Sequence, residues 1–175
     1  MIPAAIVRSL TSPRLEAGAF TPTKWNSAED KAMFGNSLLK FLANDFPRNA
    51  FTKRLYQRLS NTFGHIANYD LTGFFSTFFE DTAGKIDFLQ QTLQWPCWGD
   101  PEYTYCDVER VVQTRLRRSG LLAVKRTELD GEIRRTECAT LDRLKAKYEP
   151  SSAPTEAGAP ARPLRQADLF DPCAR

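Results

Sequence analysis

Large apolar residues recur at intervals of three and four through the middle of this chain, a spacing that places them on one side of a helix. Met33, Phe34, Leu38, Leu39, Phe41 and Leu42 follow Asn26-Ser27-Ala28-Glu29-Asp30. That stretch joins a capping side chain to acids that favour the positive end of a helix. Pro47 is expected to stop this helix. Phe51, Leu55, Leu59 and Phe63 then fall four apart and make a second stripe, weakened at its end by Gly64. Phe74, Phe75, Phe78 and Phe79 pair at i, i+4 within residues 69–81. They read as a short buried helix, with a strand as the alternative because short aromatic runs are ambiguous. Thr82 is expected to cap a further helix with Ile86, Leu89 and Leu93 facing inward, and Trp95 to Pro101 breaks it with two prolines and a glycine. Twelve phenylalanines in 175 residues imply a tightly packed aromatic core.

The spacing predicts another helix over 104–119, with Val108, Val111, Val112 and Leu116 on one side. Gly120 supplies a left-handed stop. Asp130-Gly131 is a favoured two-residue hairpin turn, so residues 122–136 are expected to form a β-hairpin, followed by a last helix from about Ala139 to Tyr148. Residues 1–23 carry Pro3, Pro13, Pro22 and Gly18 without a sustained period and read as an irregular arm. Residues 150–163 hold four prolines with Ser, Thr, Ala and Gly and no bulky apolar residue. Such a segment buries too little surface to offset the entropy of ordering. The expected fold class is mainly α. It comprises an irregular arm (1–23), a compact helical domain (24–148) with one wing-like hairpin near its C-terminal end, and a disordered Pro-rich tail (149–175).

The net charge of +3 is unevenly placed. Residues 1–104 contain ten basic and ten acidic residues, residues 105–148 eleven and seven, and residues 149–175 three and four. The positive excess therefore lies in one stretch, which points to an anionic partner there. No apolar stretch approaches the roughly 20 residues of a spanning helix, and no basic region precedes the short apolar patch of Met1 to Leu10. A cytoplasmic protein with no membrane partner is expected. Its four cysteines (97, 106, 138 and 173) should then be reduced thiols. They form no CxxC pair and lie far from the sole histidine, His65, so no zinc site is expected.

The basic helix ending Leu116-Arg-Arg-Ser-Gly120-Leu-Leu, followed by a hairpin with basic strands, resembles the second half of a winged helix. The resemblance implies a helix in the major groove and a hairpin touching phosphate. Arg115, Arg117, Arg118, Lys125, Arg126, Arg134 and Arg135 would supply the electrostatic attraction to DNA. The preceding Pro-rich segment, Trp95 to Tyr103, departs from the two earlier helices of that family. Trp98 and Tyr103 could stack on bases, although buried aromatics are the commoner case.

The tail ends in Arg165-Gln166-Ala167-Asp168-Leu169-Phe170-Asp171. An adjacent apolar pair in an otherwise polar tail marks a short linear ligand: the pair fills a pocket and the Gln amide fixes direction. Gln-x-(Asp or Ser)-Leu-Phe resembles the pentapeptide by which bacterial replication and repair proteins dock on the DNA polymerase III β sliding clamp. Gln166, Asp168, Leu169 and Phe170 match it, and Ala167 stands where Leu is common. The resemblance implies a polar subsite for Gln166 and a greasy one for Leu169-Phe170.

No catalytic machinery is legible. His65 has no sequence-local nucleophile, and there is neither a Gly-rich phosphate loop nor a GxSxG. The acid pairs Glu80-Asp81, Asp100/Glu102 and Asp107/Glu109 sit where acids normally cap helices or solubilise loops, and Asp130 with Glu132 is a remote nuclease pair. No cofactor is expected. The sequence thus points to a non-enzymatic accessory protein of DNA replication, repair or a mobile genetic element, recruited by its tail and contacting DNA through its basic segment. The rivals are a clamp-independent DNA-binding regulator and a protein-binding inhibitor, for instance an anti-defence or anti-host factor.

Overall fold

The helix over residues 28–43 begins where Ser27 Oγ accepts the Asp30 N–H at 3.2 Å, filling one of the donors a helix start leaves open. The adjacent Glu29 carboxyl is held below the usual range by hydrogen bonding to its backbone and then by the Ser27 hydroxyl. It therefore favours the fold above the ordinary carboxylate pKa, an effect lost as pH falls through the lower folded value. The computed structural model describes residues 2–62, 70–95 and 98–149. Among them the α-helices are α1 (Ala4–Thr11), α2 (Ala28–Ala43), α3 (Lys53–Thr62), α4 (Leu71–Phe78), α5 (Thr82–Gln94), α6 (Cys106–Ser119) and α7 (Leu121–Tyr148). Two 3-10 turns, Ala17–Ala19 and Arg48–Ala50, complete the regular structure. The chain divides into two units, Met1–Thr127 and Glu128–Arg175.

In the first unit α1 packs on α2 and α6, α2 on α3 and α6, α4 on α5, and α5 on α6. Phe34, Leu38, Leu39, Phe41 and Leu42 of α2 are buried, as are Leu55 and Leu59 of α3. Met33 was expected inward but is 47% exposed. The aromatic run forms a helix, not a strand: Asp70 caps α4 by accepting the Gly73 N–H at 2.6 Å. Asp81, rather than Thr82, caps α5 through the Gly84 N–H at 2.6 Å.

Phe79 sits at the centre of the aromatic core, with the rings of Phe88, Phe41, Phe46 and Phe51 at 4.9, 5.1, 5.2 and 5.3 Å. α2 ends before Pro47, through Asp45 and Phe46 at φ 66° and 57°. Left-handed backbone at two non-glycine residues costs about 1–2 kcal/mol each. Burying the Phe46 ring returns about 1.5–3 kcal/mol, and its aromatic pairs about 0.5–1.5 kcal/mol each. The turn is therefore held by what Phe46 reaches.

Residues 1–23 are not an irregular arm. α1 lies within them, and Leu10, Leu15 and Phe20 join the core. The Asn36 amide mimics a strand partner, accepting the Leu15 N–H and donating to the Leu15 carbonyl, both at 2.9 Å. Gly35 makes room for this approach: a Cβ there would meet Leu15 Cδ1 at 2.7 Å.

The expected hairpin does not form. Gly120 closes α6 in the left-handed conformation, at φ 71°, but Leu121 then opens the 28-residue α7, and the described residues contain no strand. The resemblance to a winged helix falls with the wing. Asp130-Gly131 is a strong turn signal, yet Leu, Ala, Lys, Arg and Glu around it are good helix formers. One glycine among them costs only about 1 kcal/mol. Gly131→Ala is accordingly expected to stabilise α7 by about 0.5–1 kcal/mol, read from the denaturation midpoint. A Cβ there would meet only the end of Arg135, with Nη1 at 3.6 Å. A primed turn needs positive φ and would be destabilised instead.

In the second unit, Ile133, Leu141, Leu144 and Tyr148 of α7 are exposed. Thr136 and Thr140 hydroxyls donate to the carbonyls of Glu132 and Thr136, the side-chain-to-backbone bond typical of Thr inside a helix.

Candidate functional site

The seven residues proposed for nucleic acid divide into two groups. Arg115 of α6 donates to the Leu10 carbonyl at 2.7 Å and the Pro13 carbonyl at 2.5 Å. It thereby satisfies the C-terminal end of α1, where carbonyls lack helical partners and a cation is favoured. Partial burial pushes its pKa down from the usual arginine value. Arg117 donates to the Leu93 carbonyl at 3.1 Å, and Gln113, one turn earlier, donates to the carbonyls of Thr92 and Trp95 at 3.0 and 2.8 Å. Together they cap the end of α5. Lys125 is 1% exposed and pairs with Asp45 at 2.6 Å. These three cations have internal work.

Arg118 and Arg126 are exposed in the first unit, and Arg134 and Arg135 in the second. The two aromatic side chains named for base stacking are also exposed, Trp98 at 88% and Tyr103 at 66%. Their segment is anchored from beneath. Lys31 Nζ donates to the Pro101 carbonyl at 2.8 Å and to both Asp107 oxygens at 3.1 and 3.0 Å. Asp107 Oδ2 also accepts the Thr21 N–H at 3.1 Å.

Three more of the acids have structural partners. Asp81 caps α5, Asp100 accepts the Glu102 N–H at 2.9 Å, and Glu109 accepts from Gln113 at 3.3 Å. No group of three or more metal-ligating side chains occurs among the described residues. Asp130 and Glu132 lie on α7 rather than in a turn. Cys106 is a buried free thiol. His65, Phe63, Cys97 and Cys173 lie outside the described residues. So does the tail peptide with Gln166, Asp168, Leu169 and Phe170.

One group of polar side chains had no signal in the sequence: Arg58 and Ser60 of α3 with Tyr105, just before α6, around a cavity of about 560 Å³. Tyr105 stands 45 residues beyond Ser60, so only the fold brings them to one place.

No protein-family model, curated protein or solved structure matches this chain. No helix among the described residues is long and apolar enough to cross a membrane.

Proposed function

We propose that this chain is an accessory protein of bacterial DNA replication, repair or a mobile element, brought to the β sliding clamp by its tail. The observation that carries the reading is the register of Gln166, Asp168, Leu169 and Phe170 at the end of a Pro-rich linker. The amide and the apolar pair occupy the positions that a clamp-binding peptide uses for direction and for anchoring. The DNA contact in this reading rests on Arg118, Arg126, Arg134 and Arg135, whose side chains are exposed. Arg115, Arg117 and Lys125 already have partners within the chain and carry less of it.

The test is capture of the full chain on immobilised β clamp. Wild type is expected to be retained, and Leu169→Ala/Phe170→Ala to bind at least about tenfold more weakly, since buried apolar anchors carry most of a short peptide's affinity. Gln166→Ala should fall between them. Equal capture of wild type and the double variant would end the clamp reading.

A further inference from the structure

The cavity beside α3 is lined by Asn26, Arg54, Arg58, Ser60 and Tyr105, among others. Its volume of about 560 Å³ is within the range of small-molecule sites. Three features make it more than a surface depression. Ser60 and Tyr105 line it, and their hydroxyl oxygens are buried with no hydrogen-bond partner among the described residues. A buried polar group without a partner is destabilising, so a pair of them on one cavity calls for an explanation. The guanidinium of Arg58 makes no ion pair among the described residues, whereas its neighbours Arg54 and Lys31 are paired with Asp30 and Asp107. Arg58 is also held in place: Nη1 donates to Asn26 Oδ1 at 2.7 Å, and its Cζ lies 5.1 Å from the centre of the Tyr105 ring. Those contacts leave most of its five N–H donors available.

An unbalanced, oriented guanidinium and two unsatisfied hydroxyls are all able to donate. Their complement is an anion with several acceptor oxygens. We propose that this cavity binds a small phosphomonoester, whose phosphoryl oxygens accept from Arg58, Ser60 and Tyr105. A phosphate group offers three terminal oxygens to three donor groups, one more than a carboxylate offers. It also suits the planar fork of arginine. The cavity leaves room for an organic substituent, and Asn26 supplies a polar amide on its wall.

The test measures binding of inorganic phosphate, adenosine 5′-monophosphate and adenosine to the full chain by titration calorimetry, in a buffer free of phosphate and sulfate. Adenosine 5′-monophosphate is expected to bind and adenosine not to; binding by inorganic phosphate alone would identify the free ion as the occupant. In either case Arg58→Gln should weaken binding by roughly tenfold or more, the loss typical of a charge-assisted hydrogen bond. Tyr105→Phe is the second variant. It keeps the edge-on ring contact with Phe34 and removes only a hydroxyl with no partner among the described residues, so its thermal unfolding should be no lower than that of wild type while its affinity falls by roughly fivefold or more. Failure of both phosphate probes to bind at about 10 mM, where a site with a Kd of about 1 mM would be roughly nine-tenths filled, overturns the proposal. So does binding that both variants leave unchanged.

Discussion

Replacing Phe79 with Ala is expected to lower the unfolding free energy by about 3–5 kcal/mol, the cost of removing a large aromatic side chain from a core that cannot collapse around the gap. The geometry puts this residue at the upper end of that range. Phe79 is 2% exposed, and its ring lies within 6.4 Å of seven other phenylalanine rings, those of residues 41, 46, 51, 74, 75, 78 and 88. Several of those contacts are edge-to-face, a preferred arrangement worth more than the area buried. Their carriers are spread over α2, α4, α5 and the turns between, so no single neighbour can move to fill the cavity. Domains of this size are stable by about 5–15 kcal/mol, so the substitution removes a large fraction of the total. Urea denaturation reads the loss as a shifted midpoint at unchanged slope. A loss below about 1 kcal/mol would mean that the ring cluster is loosely packed and that another part of the chain holds the fold.

The second large effect is asymmetric. Asp107→Ala is expected to cost about 3–5 kcal/mol, and Lys31→Met less than half as much. Lys31 is fully buried, and Asp107 is its sole carboxylate partner among the described residues, at 3.0 Å. Removing the carboxylate leaves a buried ammonium with one carbonyl, that of Pro101, in place of a counter-charge. It also frees the Thr21 N–H. Removing the ammonium is milder, because Met fills a similar volume and the Asp107 carboxylate, 14% exposed, keeps Thr21 and reaches water. Equal losses from the two substitutions would show that the pair is hydrated and weak. The same denaturation measurement decides it, and high salt should rescue neither variant, since buried charges are poorly screened.

Helices whose apolar spacing was regular were legible in the sequence, because that spacing is itself the physical cause of their packing. α2, α3, α5 and α6 fall where Phe34, Leu59, Leu89 and Val112 place them. Two misreadings share one origin, the weighing of local signals against distant ones. The arm of residues 1–23 looked irregular because the side chains that fix it, Asn36, Asp107 and Arg115, lie 21 to 105 residues away. The hairpin was inferred from two residues, Asp130-Gly131, against a helix-forming surround that outweighs them. The basic segment was visible as a charge excess. Which arginines are free was not, since the carbonyls that occupy Arg115 and Arg117 belong to other helices. Ser60 and Tyr105 carried no pattern at all, because an unsatisfied hydroxyl is a property of the folded surroundings.

The closure of α1 by Arg115 has a consequence for how the chain emerges from the ribosome. Leu10 and its partner guanidinium are 105 positions apart, so the first helix leaves the exit tunnel long before the side chain that completes it. At roughly 5–20 residues per second, that interval is about 5–20 s, during which the apolar side of an eight-residue helix has nothing from α6 to lie against. A helix that short is not stable in water by itself. Its closure therefore waits for α6 to be made, and nascent chains stalled before position 115 should be cut by protease within residues 4–11 more readily than the whole chain.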